Sequence, residues 1–559
     1  MILLDPYAAR SCPVKTFNTF DPTRPMPEMD QSLQEQFQGG SEHRDEVLAA
    51  LATVDGAVDL RRLDAPPKDR EQATREAVDA AAPVIIRPTL PVDHEGHRRG
   101  SSDALVLSPT GGYWPVKTKP YRITEKQMGN DSMRFSTLSA PAGLQPVRDR
   151  RYRVYREGAL LELTHVWRML QALGWAAEEQ LVGVIGDEMT GAPHVIHWVR
   201  LGDKFIRTYS KTAGHKLRSP LERYDHEHDF RVYVAQAAQG RTGENDPQPV
   251  VRPIRVKECE SCAWWQVCRT QMDDDDISLK IEKTPLDVRE LQTLFNLGIK
   301  TTSQLAAADI EDILPQYLPF TGHRDRSEQR LRQAHRRARM IAGGVELERI
   351  NDLPIEVPRS PVEVDLDIET ADDGSTYLWG ALVSGLSPEP EYVSFVRFEH
   401  LTRDGELALA TEFARWLVDL VDEHPGTLVF HYSDYEVVHL RQIADRATDP
   451  VVQQALELVP DHFVDLFNFV RQNFVGVSGL GLKVVANKGA GFCWRDEDPG
   501  GLQSQTWFNE GVDLEDDEAR EHARQRVLDY NEDDVRATLA VREWLQRLDD
   551  QQRERLDQK

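Results

Sequence analysis

Cysteine is scarce, with five in 559 residues, too few and too unevenly spaced for a disulfide scaffold. No apolar run approaches the ~18 residues needed to span a bilayer, and no charged-then-apolar leader precedes "MILLDPYAARSCPVK". The expectation is a cytoplasmic protein with no membrane association. A basic surplus is also lacking. At a formal net charge of −26 the chain is no general coat for polyanions, yet a nucleic-acid enzyme can confine its basic contacts to one groove. Internal repeats and low-complexity tracts are missing beyond short acidic clusters. What remains is 40% hydrophobic content, which at this length reads as roughly two to four ordinary globular domains.

The pattern along the chain is that of an α/β multidomain protein. Residues 1–270 mix strand-like runs ("PVIIRPTL", "DALVLS", "HVIHWV") with helical ones ("EVLAALATV", "LLELTHVWRMLQAL"). An acidic run, "MDDDD", then leads into residues 271–349, a helical linker. There Thr284 is placed to cap a helix with Pro285 at its first position, and a second helix follows a turn at Gly298. A basic helix comes next, with seven arginines against two acids between Arg324 and Arg339. Its face is either solvated or, through Arg330, Arg336 and Arg337, a surface for phosphates. Residues 350–559 alternate strands with helices.

This last segment opens on "VEVDLDIETADD", in which Glu363, Asp365, Asp367 and Glu369 alternate with Val362, Val364, Leu366 and Ile368. A period of two makes a strand with one apolar and one acidic face. An edge strand with its acids in water would suffice, but Asp is depleted in strands and a divalent cation is the other reason to gather carboxylates. Further on, "GTLVFHYSDYEVVHLRQI" carries a strand into a helix with Asp434 and Glu436 at the junction, where α/β sheets place their ligands. Near the end, "VLDYNEDDVRATLAVREWLQRL" sets Tyr530 and Asp534 one helical turn apart. Three elements thus offer acids. Two divalent cations roughly 4 Å apart, held by such a set, activate a water and neutralise the leaving oxygen in phosphodiester hydrolysis.

The order "DIE", an acid shortly after a strand-ending His, and "YNEDDV" resembles the DEDDy exonucleases of the ribonuclease H-like fold, as does the intervening "FVDLFNFVRQNFVGVSGLGLKVVA". The resemblance implies that Asp367, Glu369, Glu436 and Asp534 bind Mg2+ or Mn2+ and that Tyr530 orients the attacking water. Glu436 departs from the Asp of many members, and Asp434 and Asp533 are the fallback ligands.

"CESCAWWQVC" groups Cys259, Cys262 and Cys268. A C-x2-C-x5-C run suits zinc, an iron–sulfur cluster completed by a distant ligand, or no site at all. Trp264 and Trp265 would shield a cluster, and Cys493 is expected to be an ordinary buried thiol. One early cysteine, Cys12, with this late run resembles the iron–sulfur PD-(D/E)XK nucleases of the RecB-like class. That implies a [4Fe-4S] cluster on Cys12, Cys259, Cys262 and Cys268. The stretch "HRRGSSDALVLSPTGGYWPVKTK" then has the outline of the nuclease core, but Pro115 and Lys117 stand where a carboxylate should precede the lysine. The N-terminal site is therefore read as degenerate, its remaining members being His43, Asp103, Lys117 and Lys119, with Lys117, positive where the family has a carboxylate, expected to favour phosphate over a cation and let the domain grip nucleic acid without cutting it. "NLGIKTTSQLA" loosely resembles a helix–hairpin–helix unit.

Together these resemblances imply a metal-dependent 3′–5′ exonuclease acting on nucleic acid, with DNA bearing a 3′ end as the expected substrate, in repair or recombination. The competing class is a non-catalytic iron–sulfur scaffold that docks on DNA, a helicase or another repair protein.

Overall fold

A computed structural model describes the chain apart from residues 28–40, 130–132, 187–193, 244–245, 284, 497–500 and 558–559, and apart from the side chains of 41–43, 501–502 and 555–557. Two compact units emerge, one built from residues 1–280, 286–304 and 308–332, the other from 281–285, 305–307 and 333–559. The 271–349 stretch is divided between them. Among the described residues no helix is long and apolar enough to cross a membrane.

The first unit is built on an eight-stranded mixed sheet. Its strands are β1 (Val58–Asp59), β2 (Val84–Ile86), β3 (Ala104–Leu107), β4 (Tyr113–Lys119), β5 (Arg134–Thr137), β6 (Gln145–Pro146), β7 (Leu181–Gly186) and β8 (Val195–Arg200), in the order β1-β2-β3-β4-β7-β8-β5-β6. The central strands β4 and β7 run parallel, and strands buried on both faces are apolar throughout, as "LVGVIG" in β7 is. Three helices matter for the sites: α1 (Pro13–Phe20), α2 (Glu157–Ala172) and α3 (Pro220–Gln239). Helix α2 is buried over most of its length, and its apolar side chains pack with those of β7.

In the same unit α4 (Val288–Asn296) begins later than the sequence suggests. Asp287, not Thr284, is its cap: the Asp287 carboxylate accepts from the Glu290 N–H at 2.8 Å while Glu290 accepts from the Asp287 N–H at 2.7 Å, the reciprocal pair that satisfies two orphan donors. Thr284 lies outside the described residues. Gly298, at φ +86°, turns the chain toward α5 (Thr302–Ala307).

The second unit carries a five-stranded sheet of β9 (Glu363–Thr370), β10 (Thr376–Ser384), β11 (Glu391–Val396), β12 (Leu428–His431) and β13 (Phe463–Asp465), ordered β11-β10-β9-β12-β13. Antiparallel pairing on the β10 side gives way to parallel pairing with β12. Val364, Leu366 and Ile368 of β9 pack with Leu409, Phe413 and Leu417 of α7 (Arg403–Glu423) and Leu440 of α8 (Tyr435–Ala444). The basic helix α6 (Ser327–Ala342) precedes these elements. A period of two sends the acids to the opposite face, where the long C-terminal helix α11 (Asp517–Asp557) lies, preceded by α9 (Leu482–Val485) and α10 (Gly501–Asp513).

Candidate functional site

The acidic face of β9 is divided between two partners, both supplied by α11. At one end the buried Arg542 guanidinium grips Asp365 bidentately, at 3.0 Å from Nε and 2.8 Å from Nη2, and its Nη1 also meets Glu363. Those two acids thereby share one internal arginine, which leaves one negative charge between them uncompensated and, with burial, pushes Asp365 up to about 6. At the other end Asp367 and Glu369 meet Asp534, each of the three offering one oxygen within 4.8 Å of the others. Asn531, three residues before Asp534, donates to Asp367 Oδ2 at 2.9 Å. Gly380 on β10 makes this approach possible, because a Cβ there would overlap the Asn531 carboxamide.

Neighbouring side chains hold the acids in place. Ser504 Oγ donates to Glu369 Oε2 at 2.8 Å and Trp494 Nε1 to Asp534 Oδ1 at 2.7 Å. Lys483, on α9, donates to the Tyr530 hydroxyl at 2.6 Å and lies 4.8 Å from the centre of its ring. Asn531 and Lys483 lie within the two stretches that carry the family resemblance, though without an assigned role, whereas Ser504 and Trp494 are marked by neither motif nor periodicity.

The electrostatics of the group favour a cation. Burial, then the charges of Asp534, Glu369 and Glu436, hold the Asp367 carboxyl well above the usual range. Burial and Asp534 push Glu369 up to about 8, with Ser504 and Lys483 opposing. Asp534 is pushed up to about 6 by burial, against the pull of Lys483. Like charges this close favour the protonated forms, and a divalent cation would reverse that preference.

Glu436, on the first turn of α8, is buried, and its Oε2 accepts no well-formed hydrogen bond; the nearest ion-pair partner is His431 Nδ1 at 3.5 Å. Burial raises its carboxyl, opposed by His431. Glu436 is not among the three acids whose oxygens lie within 4.8 Å of one another, but its charge acts on Asp367, so it stands close enough to share a cation with them. The fallback Asp533 is employed elsewhere, by Arg495 Nε at 2.8 Å. Asp434 is the residue just before α8, with no side-chain capping bond.

In the first unit, Cys12, Cys259, Cys262 and Cys268 line one cavity together with Trp264 and Trp265. Cys12 stands at the N-cap of α1, its N–H donating to Glu258 at 2.8 Å. Burial pushes the Cys12 and Cys259 thiols up, and burial with the charges of the other three pushes Cys268 up to about 12. Cys493 differs from expectation: it is exposed, not buried.

The region expected to be a degenerate nuclease site contains a carboxylate after all, contributed by α2 and not by β4. Glu162 is fully buried and receives Lys117 at 2.7 Å, Lys119 at 2.9 Å and Arg10 at 2.9 Å. A lone acid inside the apolar run "ALLELTHV" was the available signal. Asp103 is 5% exposed and accepts the Thr118 N–H at 2.9 Å. The side chain of His43 lies outside the described residues.

The arginines of α6 are engaged within their own units. Arg330 grips Glu290 at 2.7 and 2.9 Å, Arg336 meets Glu348 at 3.1 Å, and Arg337 donates to the Gly476 carbonyl at 3.2 Å. Bonds of this kind fix a helix and leave these guanidinium groups less available to a phosphate.

Residues 364–546 match the RNase_H_2 family model, of the RNase_H superfamily. No curated protein and no solved structure matches the chain. The matched span runs from β9 through Arg542 and contains every member of the acid cluster, so the C-terminal domain is RNase H-like.

Proposed function

We propose that the C-terminal domain is a divalent-metal-dependent 3′–5′ exonuclease that releases nucleoside 5′-monophosphates from nucleic acid, most readily DNA, in repair or recombination. The observation that carries this reading is the meeting of Asp367, Glu369 and Asp534, from a strand and a distant helix, as one group of repelling carboxylates, two of them buried and Asp367 half-buried. Asp367, Glu369, Asp534 and Glu436 would hold Mg2+ or Mn2+, which supplies a nucleophilic water and charge neutralisation at the phosphorus. The chain's own residues do the rest. Ser504, Asn531 and Trp494 fix the carboxylates. The Tyr530 hydroxyl accepts from Lys483 and hydrogen-bonds the Asp534 carboxylate, which holds it at the edge of the acid group where it can orient a water. Lys483 also supplies positive charge beside the cluster, where a phosphate would gather negative charge.

In the N-terminal unit we propose a [4Fe-4S] cluster on Cys12, Cys259, Cys262 and Cys268, on a PD-(D/E)XK-like scaffold. Its support is the shared cavity and the mutual repulsion of the thiolates, which bound iron would relieve.

The test of the exonuclease is a 5′-labelled single strand incubated with Mg2+ or Mn2+. Stepwise shortening from the 3′ end, abolished by chelator and by a blocked 3′ terminus, is expected. A strand left intact with both metals, or internal cuts in a closed circle, would overturn it.

A further inference from the structure

The first unit holds a second cavity, of about 490 Å³, a size typical of ligand sites. Its wall carries Arg44, Arg70, Arg87, Lys117 and Lys119 against one carboxylate, Asp103. In a chain with a net charge of −26 this is a local reversal of sign. Glu162, behind the wall, offsets part of it, but three cations share that single acid. A metal ion finds little to bind here. Asp103 is committed to the Thr118 N–H at 2.9 Å and faces Arg87 at 3.4 Å, and both lysines would repel a cation. Burial lowers the Lys117 ammonium pKa, yet Glu162 together with Tyr7 and Asp103 more than reverses this, so Lys117 is held charged, whereas burial, aided by the charge of Lys117, holds Lys119 below its ordinary value.

We infer that this cavity is a binding site for the phosphodiester backbone of single-stranded nucleic acid, which it grips without cutting. The cations come from four separate segments: Arg44 and Arg70 from two helices, Arg87 from the turn after β2, and the lysines from β4. Such a spread suits consecutive phosphates better than one. Tyr7, 42% exposed, lines the same cavity with Lys117 Nζ 4.6 Å from its ring centre. An aromatic ring beside a cationic groove is the combination that holds single strands, by stacking a base while the cations track the backbone. The site goes beyond the exonuclease reading and does not depend on it.

The experiment measures binding of a fluorescein-labelled closed circular single strand to the full chain, in chelator, across a salt series. A circle has no 3′ end, and without metal nothing is cut, so failure of the exonuclease reading leaves this measurement unaffected. For single strands each neutralised phosphate contributes about −0.7 to the slope of log affinity against log salt. Arg44→Ala with Arg87→Ala should make the slope shallower by about 1.4 and weaken binding at low salt at least about tenfold. Arg44→Lys with Arg87→Lys should keep the slope. If the double alanine variant does not fold, Arg44→Glu, on a partly exposed helix position, should still make the slope shallower by about 0.7 or more. An unchanged slope and affinity in a folded double alanine or Arg44→Glu variant would overturn the inference. So would displacement of the circle by a free nucleoside triphosphate at micromolar concentration, which would assign the cavity to a nucleotide instead of a strand.

Discussion

Glu369→Gln should make the metal-free protein more stable while destroying its response to magnesium. The Glu369 carboxyl is buried and pushed from an ordinary 4.5 up to about 8. At about 1.36 kcal/mol per unit, ionising it in the fold costs on the order of 4–5 kcal/mol at pH 8 and above. Asp534 carries part of the same repulsion, so neutralising Glu369 should recover less, about 2 kcal/mol. For a unit of this size that is an upward shift of roughly 4–8 °C in Tm. The sign follows from the raised pKa: the penalty is full above about 8 and fades as pH falls toward 4.5. In chelator the gap between variant and wild type should therefore be widest at pH 8 and narrow at pH 5. Gln keeps an acceptor for Ser504 Oγ, so the local packing survives. The assay is calorimetry of both proteins at both pH values, with chelator and then with Mg2+. Magnesium should raise the wild-type Tm and leave the variant nearly unmoved. A variant no more stable than wild type at pH 8 in chelator would refute the reasoning.

Tyr530→Phe should retain metal, measured by titration calorimetry, and lose about a hundredfold in kcat because only the orientation of the water suffers. Lys483→Met should lose more than Tyr530→Phe, because it removes both the hydrogen bond to Tyr530 and the positive charge that holds the Glu369 and Asp534 carboxyls down. Arg542→Met leaves Asp365 and Glu363 buried without their cation and should cost about 3–5 kcal/mol in denaturant unfolding. Protein prepared without oxygen should contain iron, and Cys12→Ser should lose both iron and stability, read by elemental analysis and Tm, because metal bonds from Cys12 to the late cysteines close a long loop.

The acids of the metal cluster were legible because they obey short-range rules. Asp367 and Glu369 follow the period of a strand, and Tyr530 and Asp534 the turn of a helix. Their neighbours were not. The strand pattern treats Glu363, Asp365, Asp367 and Glu369 alike, and only tertiary placement of Arg542 separates the first two from the last two. Lys483, Trp494 and Ser504 come from stretches whose periodicity says nothing about what they face. The same holds in the other unit: β4 reads as lacking its acid because the carboxylate that meets Lys117 and Lys119 arrives from α2, 43 residues away from Lys119. The arginines of α6 looked like a phosphate surface since their partners, Glu290 and Glu348, lie outside the helix.

The most direct test of the central claim is release of nucleoside 5′-monophosphates from a single strand with a free 3′ end, comparing wild type with Asp534→Asn in Mg2+ or Mn2+. Asparagine keeps the acceptor for Trp494 Nε1, so the fold should persist while a charge at the metal site is lost. Wild type should release mononucleotides, and the variant should be slower by at least about a thousandfold, the equivalent of several kcal/mol of lost transition-state stabilisation. Equal turnover in the two proteins would contradict the assignment of hydrolysis to this cluster.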